Sequence, residues 1–276
     1  MDVGEPGVTP IQKFLARHAP ILEPATLYCP EHGEYSGQYE QIHPNSARRP
    51  SPCPGCQARR AAELAEDRQR QAESAGARAW EQRLAAAGIP RRFWSLDFED
   101  YRADLPEQSH ALTTTQRYAE KFAAILERGT CLVFCGAPGT GKTHLACALL
   151  KHLLWFENRP VAFTSTYHLL RRIKDTWRSE SEEREQAVID RFVALDLLVL
   201  DEVGIQFGSE TEKLLLFEVL NGRYEAVRPS LLISNLAAPE LQHYLGARLL
   251  DRLRENGGVL VPFTWASARG DTGETS

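Results

Sequence analysis

The segment Gly136-Ala137-Pro138-Gly139-Thr140-Gly141-Lys142-Thr143 constrains this chain more than any other feature. Its glycines let backbone N–H groups close around phosphate oxygens. Such a loop works where a buried strand hands over to a helix, whose positive N-terminal end then faces the anion. Leu132-Val133-Phe134 reads as that strand, and the apolar pattern after the loop reads as a helix through about Leu154. The expectation is a nucleotide site in which Lys142 reaches the β- and γ-phosphates and the Thr143 hydroxyl binds Mg²⁺.

Around this loop, strand-like and helix-like segments alternate from about residue 111, the pattern of an α/β fold with a parallel sheet flanked by helices. Val161-Ala162-Phe163 reads as a strand, followed by a helix over Thr166 to Trp177. Ser179–Glu185 reads as a loop or helix start. Leu197–Leu200 and Leu231–Ile233 are two further buried strands, and between them Ser209-x-x-Glu212 has the form of a capping box.

Two strand ends carry candidate chemistry. Leu197-Leu198-Val199-Leu200 runs into Asp201-Glu202. A carboxylate beside a phosphate-binding loop can hold Mg²⁺, which suits Asp201, and Glu202 is then placed to polarise the attacking water. Asn235 follows the strand ending at Ser234, where it either orients that water or simply favours a turn. Further on, Gly246 to Arg254 reads as a short helix with Leu249, Leu250 and Leu253 on its apolar side. Arg248 and Arg252 share the other side at i,i+4, either as a solvated basic face or as an arginine finger for a neighbouring subunit.

The N-terminal third differs in character. Residues 1–22 hold a short amphipathic stretch with Ile11, Phe14 and Leu15 at helical spacing, whereas residues 23–57 show little periodic apolar pattern. Cys29-Pro30-Glu31-His32 and Cys53-Pro54-Gly55-Cys56 supply two ligand pairs, each with two intervening residues. Together they make a closed Cys₃His set suited to a structural Zn²⁺ that would staple a core-poor segment. His43 is an alternative to His32 but breaks the paired spacing. The other three of the six cysteines, Cys131, Cys135 and Cys147, sit on apolar patterns and read as core. From Gln57 to Ala87 the composition favours a long exposed helix, ended by Gly88-Ile89-Pro90. Phe93, Trp94, Leu96, Phe98 and Tyr101 then form a connector expected to pack onto the following domain.

The net charge of −5 argues against a polybasic binder without excluding a local basic groove. No basic, apolar leader and no run of about 18 apolar residues is present, so the expected location is cytoplasmic, with no membrane partner.

These residues resemble the AAA+ ATPases of the DnaC-type replicative helicase loader family, with the IstB transposition ATPases as close relatives. The resemblance covers roughly residues 88–270. It is carried by Gly88-Ile89-Pro90-Arg91-Arg92-Phe93, by the loop with Thr143-His144-Leu145-Ala146, by Lys174-Asp175-Thr176-Trp177-Arg178, by Leu198 to Gly204, and by Gly246 to Arg254. It implies an ATP-dependent homo-oligomer that engages single-stranded DNA and a replicative DNA helicase. His144 would join the nucleotide cradle, Arg252 resembles the arginine finger, and Arg269 resembles a second sensor arginine. Lys174 and Trp177 resemble residues on a DNA-contacting helical element, and Ser209 and Thr211 resemble nearby positions. A core role for Trp177, at helical spacing with Leu169, Leu170 and Ile173, competes with that assignment. The Cys₃His knuckle looks like those of phage and prophage versions of the family.

The organisation expected is a helicase-interacting zinc region over 1–57, a helical linker and connector over 58–110, an ATPase domain over 111–270 and a tail over 271–276. The function implied is ATP-dependent loading of a replicative helicase onto single-stranded DNA. Two rivals are a transposition helper ATPase of IstB type that binds duplex DNA, and a scaffold that binds ATP without useful hydrolysis. Lys142, Thr143, Asp201 and Glu202 together weigh against the scaffold.

Overall fold

The computed structural model describes residues 21–41, 46–204 and 209–267. The chain divides into two compact units, 1–78 and 79–276. His43, Arg269 and the apolar positions Ile11, Phe14 and Leu15 lie outside the described residues.

In the first unit, residues without a helical apolar pattern form a hairpin. Strands β1 (Ile21–Cys29) and β2 (Gly33–Gln41) pair antiparallel from Ile21↔Gln41 to Cys29↔Gly33, and the short β3 (Arg49–Pro50) adds to β2. The sequence reading expected little regular structure here. Along β1 only Leu27 and Cys29 are buried, an alternation too brief to read as a strand from the sequence. Helix α1 (Pro54–Ala86) starts with proline at its first turn, where the missing N–H has no partner to lose. The division between the units falls within α1, and its one buried residue, Leu84, belongs to the second unit.

The second unit is built on a five-stranded parallel sheet in the order β5-β6-β7-β4-β8. Its strands are β4 (Leu132–Gly136), β5 (Val161–Ser165), β6 (Leu197–Asp201), β7 (Ser230–Ser234) and β8 (Val259–Phe263). Helices α2 (Pro106–Glu120), α3 (Phe122–Arg128) and α4 (Lys142–Phe156) accompany it. So do α5 (Thr166–Asp175), α6 (Glu185–Ala194), α7 (Glu210–Glu225) and α8 (Ala238–Arg254).

Both faces of the sheet are covered, which is why its strands read as continuous apolar runs. Side chains alternate between two cores. Leu132, Phe134, Leu197 and Val199 join the core containing α2 and α4, while Val133, Cys135, Leu198 and Leu200 join the core containing α5 to α8. Cys131, Cys135 and Cys147 are buried in these cores, as expected. The connector packs as expected too: Phe93, Phe98 and Tyr101 are buried against the α4 side, with Trp94 and Leu96 partly buried there.

Three differences from the sequence reading have local causes. Helix α5 ends at Asp175, so Trp177 lies past the helix. Trp177 is 53% exposed, which overturns the core alternative for its ring. The helix expected over Gly246–Arg254 is the second half of α8, whose path breaks at Gly246 with φ 75° and ψ 157°. Helices α2 and α3 and strand β8 went unread, because the polar surface of α2 and the three unburied residues of β8 dilute their periodicity.

Candidate nucleotide site and cysteine–histidine cluster

The phosphate-binding loop lies at the C-terminal end of β4. The chain leaves β4 for the far strand β5, and returns through β6 and β7 before adding β8 on the opposite side. A crevice opens where the strand order reverses, which is where open parallel sheets bind ligands. A cleft of about 480 Å³ is lined there by Pro138, Gly139, Gly141, Lys142, Thr143, His144, Asp201, Glu202 and Asn235, joined by Arg92 and Phe93.

The loop backbone is held from both sides. Gly141 has φ 94°, and a Cβ there would fall 2.6 Å from the Tyr101 ring, so this position requires glycine. Thr140 is buried and its hydroxyl donates to Ala137 O at 2.9 Å, while the Thr140 carbonyl accepts from Trp265 Nε1 at 3.0 Å. Gly136 N donates to Leu236 O at 3.1 Å, tying the loop to the segment that carries Asn235. Lys142 is buried at the start of α4, and its Nζ donates to the carbonyls of Gly136 and Ala137, each at 2.7 Å.

Across the cleft, Thr143 Oγ1 donates to Asp201 Oδ2 at 3.0 Å. The other carboxylate oxygen accepts from Glu202 N at 2.7 Å. Burial pushes the Asp201 carboxyl above the usual carboxylate range, against the lowering effect of these hydrogen bonds and of Lys142. Thr143 and Asp201 together present hard oxygen ligands of the kind Mg²⁺ takes. Glu202 is exposed, with φ 62° in the left-handed region that non-glycine residues rarely adopt.

Sequence reasoning missed the contribution of the connector to this site. Arg92 and Phe93 line the cleft, and His144 bonds through its ring to Asp97 O at 2.7 Å. Lys151, buried one face further along α4, donates to the carbonyls of Trp94 and Leu96 and fixes the connector on the helix. The signal was present in Arg91-Arg92-Phe93, a cation and aromatic pair just before the domain, but it has no spacing that points to a phosphate.

The remaining candidates lie elsewhere. Arg252 is absent from the cleft lining; its guanidinium sits 4.9 Å from the Tyr224 ring centroid and 5.5 Å from that of Phe217. Its buried Nη1 has no hydrogen-bond partner among the described residues. Lys174 Nζ bonds Glu212 at 2.5 Å, which holds that carboxyl below its usual range. Ser209 and Glu212 form the expected reciprocal cap of α7, with both bonds at 3.3 Å, and Thr211 is exposed in its first turn. Trp177 Nε1 donates to Glu185.

In the first unit, the turn after β1 and the start of α1 bring Cys29, His32, Cys53 and Cys56 together, with all four ligand atoms within 4.8 Å of one another. The Cys29–Cys56 sulfurs are 3.6 Å apart, and His32 Nδ1 lies 3.6 Å from Cys29 and 3.5 Å from Cys56. A tetrahedron with zinc–sulfur and zinc–nitrogen bonds of ordinary length has edges of about 3.5–3.8 Å. The three edges among Cys29, His32 and Cys56 match these lengths, and the four-residue cluster is compatible with zinc. Gly55 is part of the fit: a Cβ there would fall 2.6 Å from the His32 ring. The His32 hydrogen bond lowers the Cys29 thiol to about 6, whereas its own bond to Cys29 raises Cys56 to about 11.

Comparison with known proteins agrees with this geometry. The IstB-like ATP binding protein family matches residues 69–261. The replicative helicase loader DnaC of Escherichia coli (strain K12) is 33% identical over 183 residues, covering 66% of this chain and 73% of that protein. Its counterpart in Buchnera aphidicola subsp. Schizaphis graminum is 30% identical over 186 residues, covering 67% and 74%. Among solved structures, a crystal structure of the DnaC helicase loader superposes with a TM-score of 0.56 at 24% identity, covering 63% of this chain and 99% of that one. With the sheet order, the loop and the two carboxylates in place, the chain belongs to the IstB-like ATP-binding family and carries its AAA+ ATPase fold.

Proposed function

We propose that this protein loads a replicative DNA helicase onto single-stranded DNA, using ATP turnover to time assembly and release. The observation that carries the reading is one cleft lined by Lys142, Thr143, Asp201, Glu202 and Asn235, in a chain 33% identical over 183 residues to a replicative helicase loader. In this reading Gly136 to His144 cradle the phosphates, and Lys142 exchanges its loop carbonyls for the β- and γ-phosphates. Thr143 and Asp201 hold Mg²⁺, which neutralises developing phosphate charge. Glu202 accepts the proton of the attacking water, and Asn235 orients that water. Arg252 acts on the site of a neighbouring copy in a homo-oligomer. Arg269, outside the described residues, is carried forward as a second sensor.

Trp177 and Lys174 are proposed to lie on the path of single-stranded DNA, with Ser209 and Thr211 beside it. An exposed ring suits base stacking and a cation suits phosphate. The Cys29, His32, Cys53 and Cys56 set is proposed to hold a structural Zn²⁺ in a helicase-interacting N-terminal region. No helix of the described residues is long and apolar enough to cross a membrane, and the proposed site of action is the cytoplasm.

The deciding experiment is helicase loading onto protein-coated single-stranded DNA, comparing wild type with Lys142→Ala. Loading by wild type and loss in the variant are expected. Strong duplex binding without any helicase binding would favour the transposition-helper reading.

A further inference from the structure

A second concavity, of about 600 Å³, lies on the second unit between α2, α3 and the start of β8. Its lining differs in kind from the nucleotide cleft. His110, Thr114 and Arg117 follow one another at i, i+4 and i+7 along α2, and Lys121 at its C-cap continues the row. Arg128, at the end of α3, stands across from that row. The floor is apolar: Tyr118, Ala124, Ile125 and Val259.

Three features distinguish this groove from an ordinary solvated face. Among the described residues no acidic one lines it, although Glu120 and Glu127 occupy other faces of the same helices. Arg117, Lys121 and Arg128 are exposed, and none has a carboxylate within ion-pair distance among the described residues. Finally, apolar side chains remain open to solvent between the cations, with Val259 38% exposed. Elsewhere on this surface arginines are commonly paired, as Arg159 and Arg228 are with Asp196.

We propose that this groove docks an acidic amphipathic helix of a partner protein. The apolar floor would take one face of that helix, and the cation row would meet carboxylates flanking it. The row runs from His110 in α2 to Lys121 at its C-cap, about 16 Å, or three turns of a docked helix. Complementary charge of this kind steers encounter and fixes register. Nucleic acid fits less well, because Tyr118 is buried and donates to Thr130 O, leaving the small His110 imidazole as the open ring among the described lining residues.

The test uses the full chain and a fluorescent fourteen-residue probe with leucine along one helical face and glutamate elsewhere. Fluorescence anisotropy at low salt should detect binding, and Arg117→Glu/Lys121→Glu should weaken it at least about tenfold, as loss of two interfacial charge contacts predicts. The same variant should gain affinity for the probe with lysine in place of glutamate, and its ATPase rate should stay at the wild-type level. Three results would overturn the proposal. One is no difference between wild type and variant for either probe. Another is a dT20 oligonucleotide that displaces the acidic probe and itself depends on Arg117 and Lys121. The third is a lower oligomeric state of the variant in sedimentation, which would mean that a second copy of this chain covers the groove.

Discussion

Thr143 Oγ1 donates to Asp201 Oδ2 across 3.0 Å, joining the first turn of the loop helix to the end of the neighbouring-but-one strand. The carboxyl it meets is buried and has a raised pKa. A raised acid pKa makes a contribution to stability that is complete below the unfolded value and lost as pH rises through the folded value. Ionising that carboxyl in the nucleotide-free protein therefore costs stability. Asp201→Asn should leave its thermal midpoint equal to or above that of the wild type, while lowering Mg²⁺-dependent hydrolysis at least about a hundredfold. Calorimetry paired with a phosphate-release assay checks both halves; a lower midpoint would contradict the electrostatic account.

Glu202 is a separate case, since its backbone is the unusual part. Glu202→Gln keeps the side chain's size and should reduce turnover by about 10²–10⁴ without loss of ATP binding. Glu202→Gly relieves the φ of 62° and should unfold at equal or higher temperature than the Gln variant. If Gln left turnover intact in the presence of DNA, another group would have to serve as base.

The resemblance puts Lys174 and Trp177 on one DNA-contacting element, with a core reading competing for Trp177 alone, and their surroundings in the structure differ. Lys174 is engaged with Glu212 at the cap of α7, whereas the Trp177 ring is half exposed. Trp177→Ala should weaken binding of single-stranded DNA by about 1–3 kcal/mol, or roughly five- to 150-fold. Lys174→Ala should weaken it less and should lower thermal stability, because it frees Glu212. The lowered Glu212 pKa gives a stability contribution present above its unfolded value and lost as pH falls through the folded one. The midpoint gap between Lys174→Ala and wild type should accordingly close in acid.

What could be read from residues alone follows a physical line. The loop, Asp201-Glu202 and the central strands were legible because a phosphate cradle needs glycines, and doubly covered strands need unbroken apolar runs. The cap at Ser209 was legible because both of its bonds are local. Contacts formed by distant segments were not. Arg223 reads as one more charge on α7, yet it is buried and donates to the carbonyls of Phe192, Leu195 and Pro229 and to the Ser230 hydroxyl. Its desolvation lowers its pKa to about 10. The embrace of the loop by Tyr101 and Trp265 depends likewise on partners at separations of 39 and 125 residues. The hairpin of the first unit escaped notice because so little of it is buried.

That thin burial bears on the metal. Among the described residues of the first unit, Leu27, Cys29 and Cys53 are the buried apolar ones, too few to offset the entropy of ordering a hairpin and turn. Purified protein should contain about one zinc per chain, and Cys53→Ser/Cys56→Ser should lose it. Gly55→Ala should also reduce zinc content, since its methyl would collide with His32 while leaving every ligand in place. Zinc should be released as pH falls, because protons compete for the thiolates. Elemental analysis across pH is sufficient, and unchanged zinc in the double variant would refute the site.

Arg252 offers the sharpest test of whether the ATPase site is shared between copies. It does not line the cleft of its own chain, and its guanidinium rests on Tyr224 with one buried nitrogen lacking a hydrogen-bond partner among the described residues. A cation stacked on an aromatic face is held in place without a hydrogen bond, and in the proposed shared site its nitrogens would turn to transferring phosphate oxygens. Arg252→Ala should lower turnover by about 10³ or more while ATP affinity is retained. Lys142→Ala should abolish turnover through the other half of the site. Mixing the two inactive variants should restore measurable hydrolysis, because some interfaces then pair an intact Lys142 with an intact Arg252. Restoration should rise with total protein concentration, as assembly requires. If the mixture stays as inactive as its components while both variants still assemble, Arg252 acts within its own chain or only supports α7.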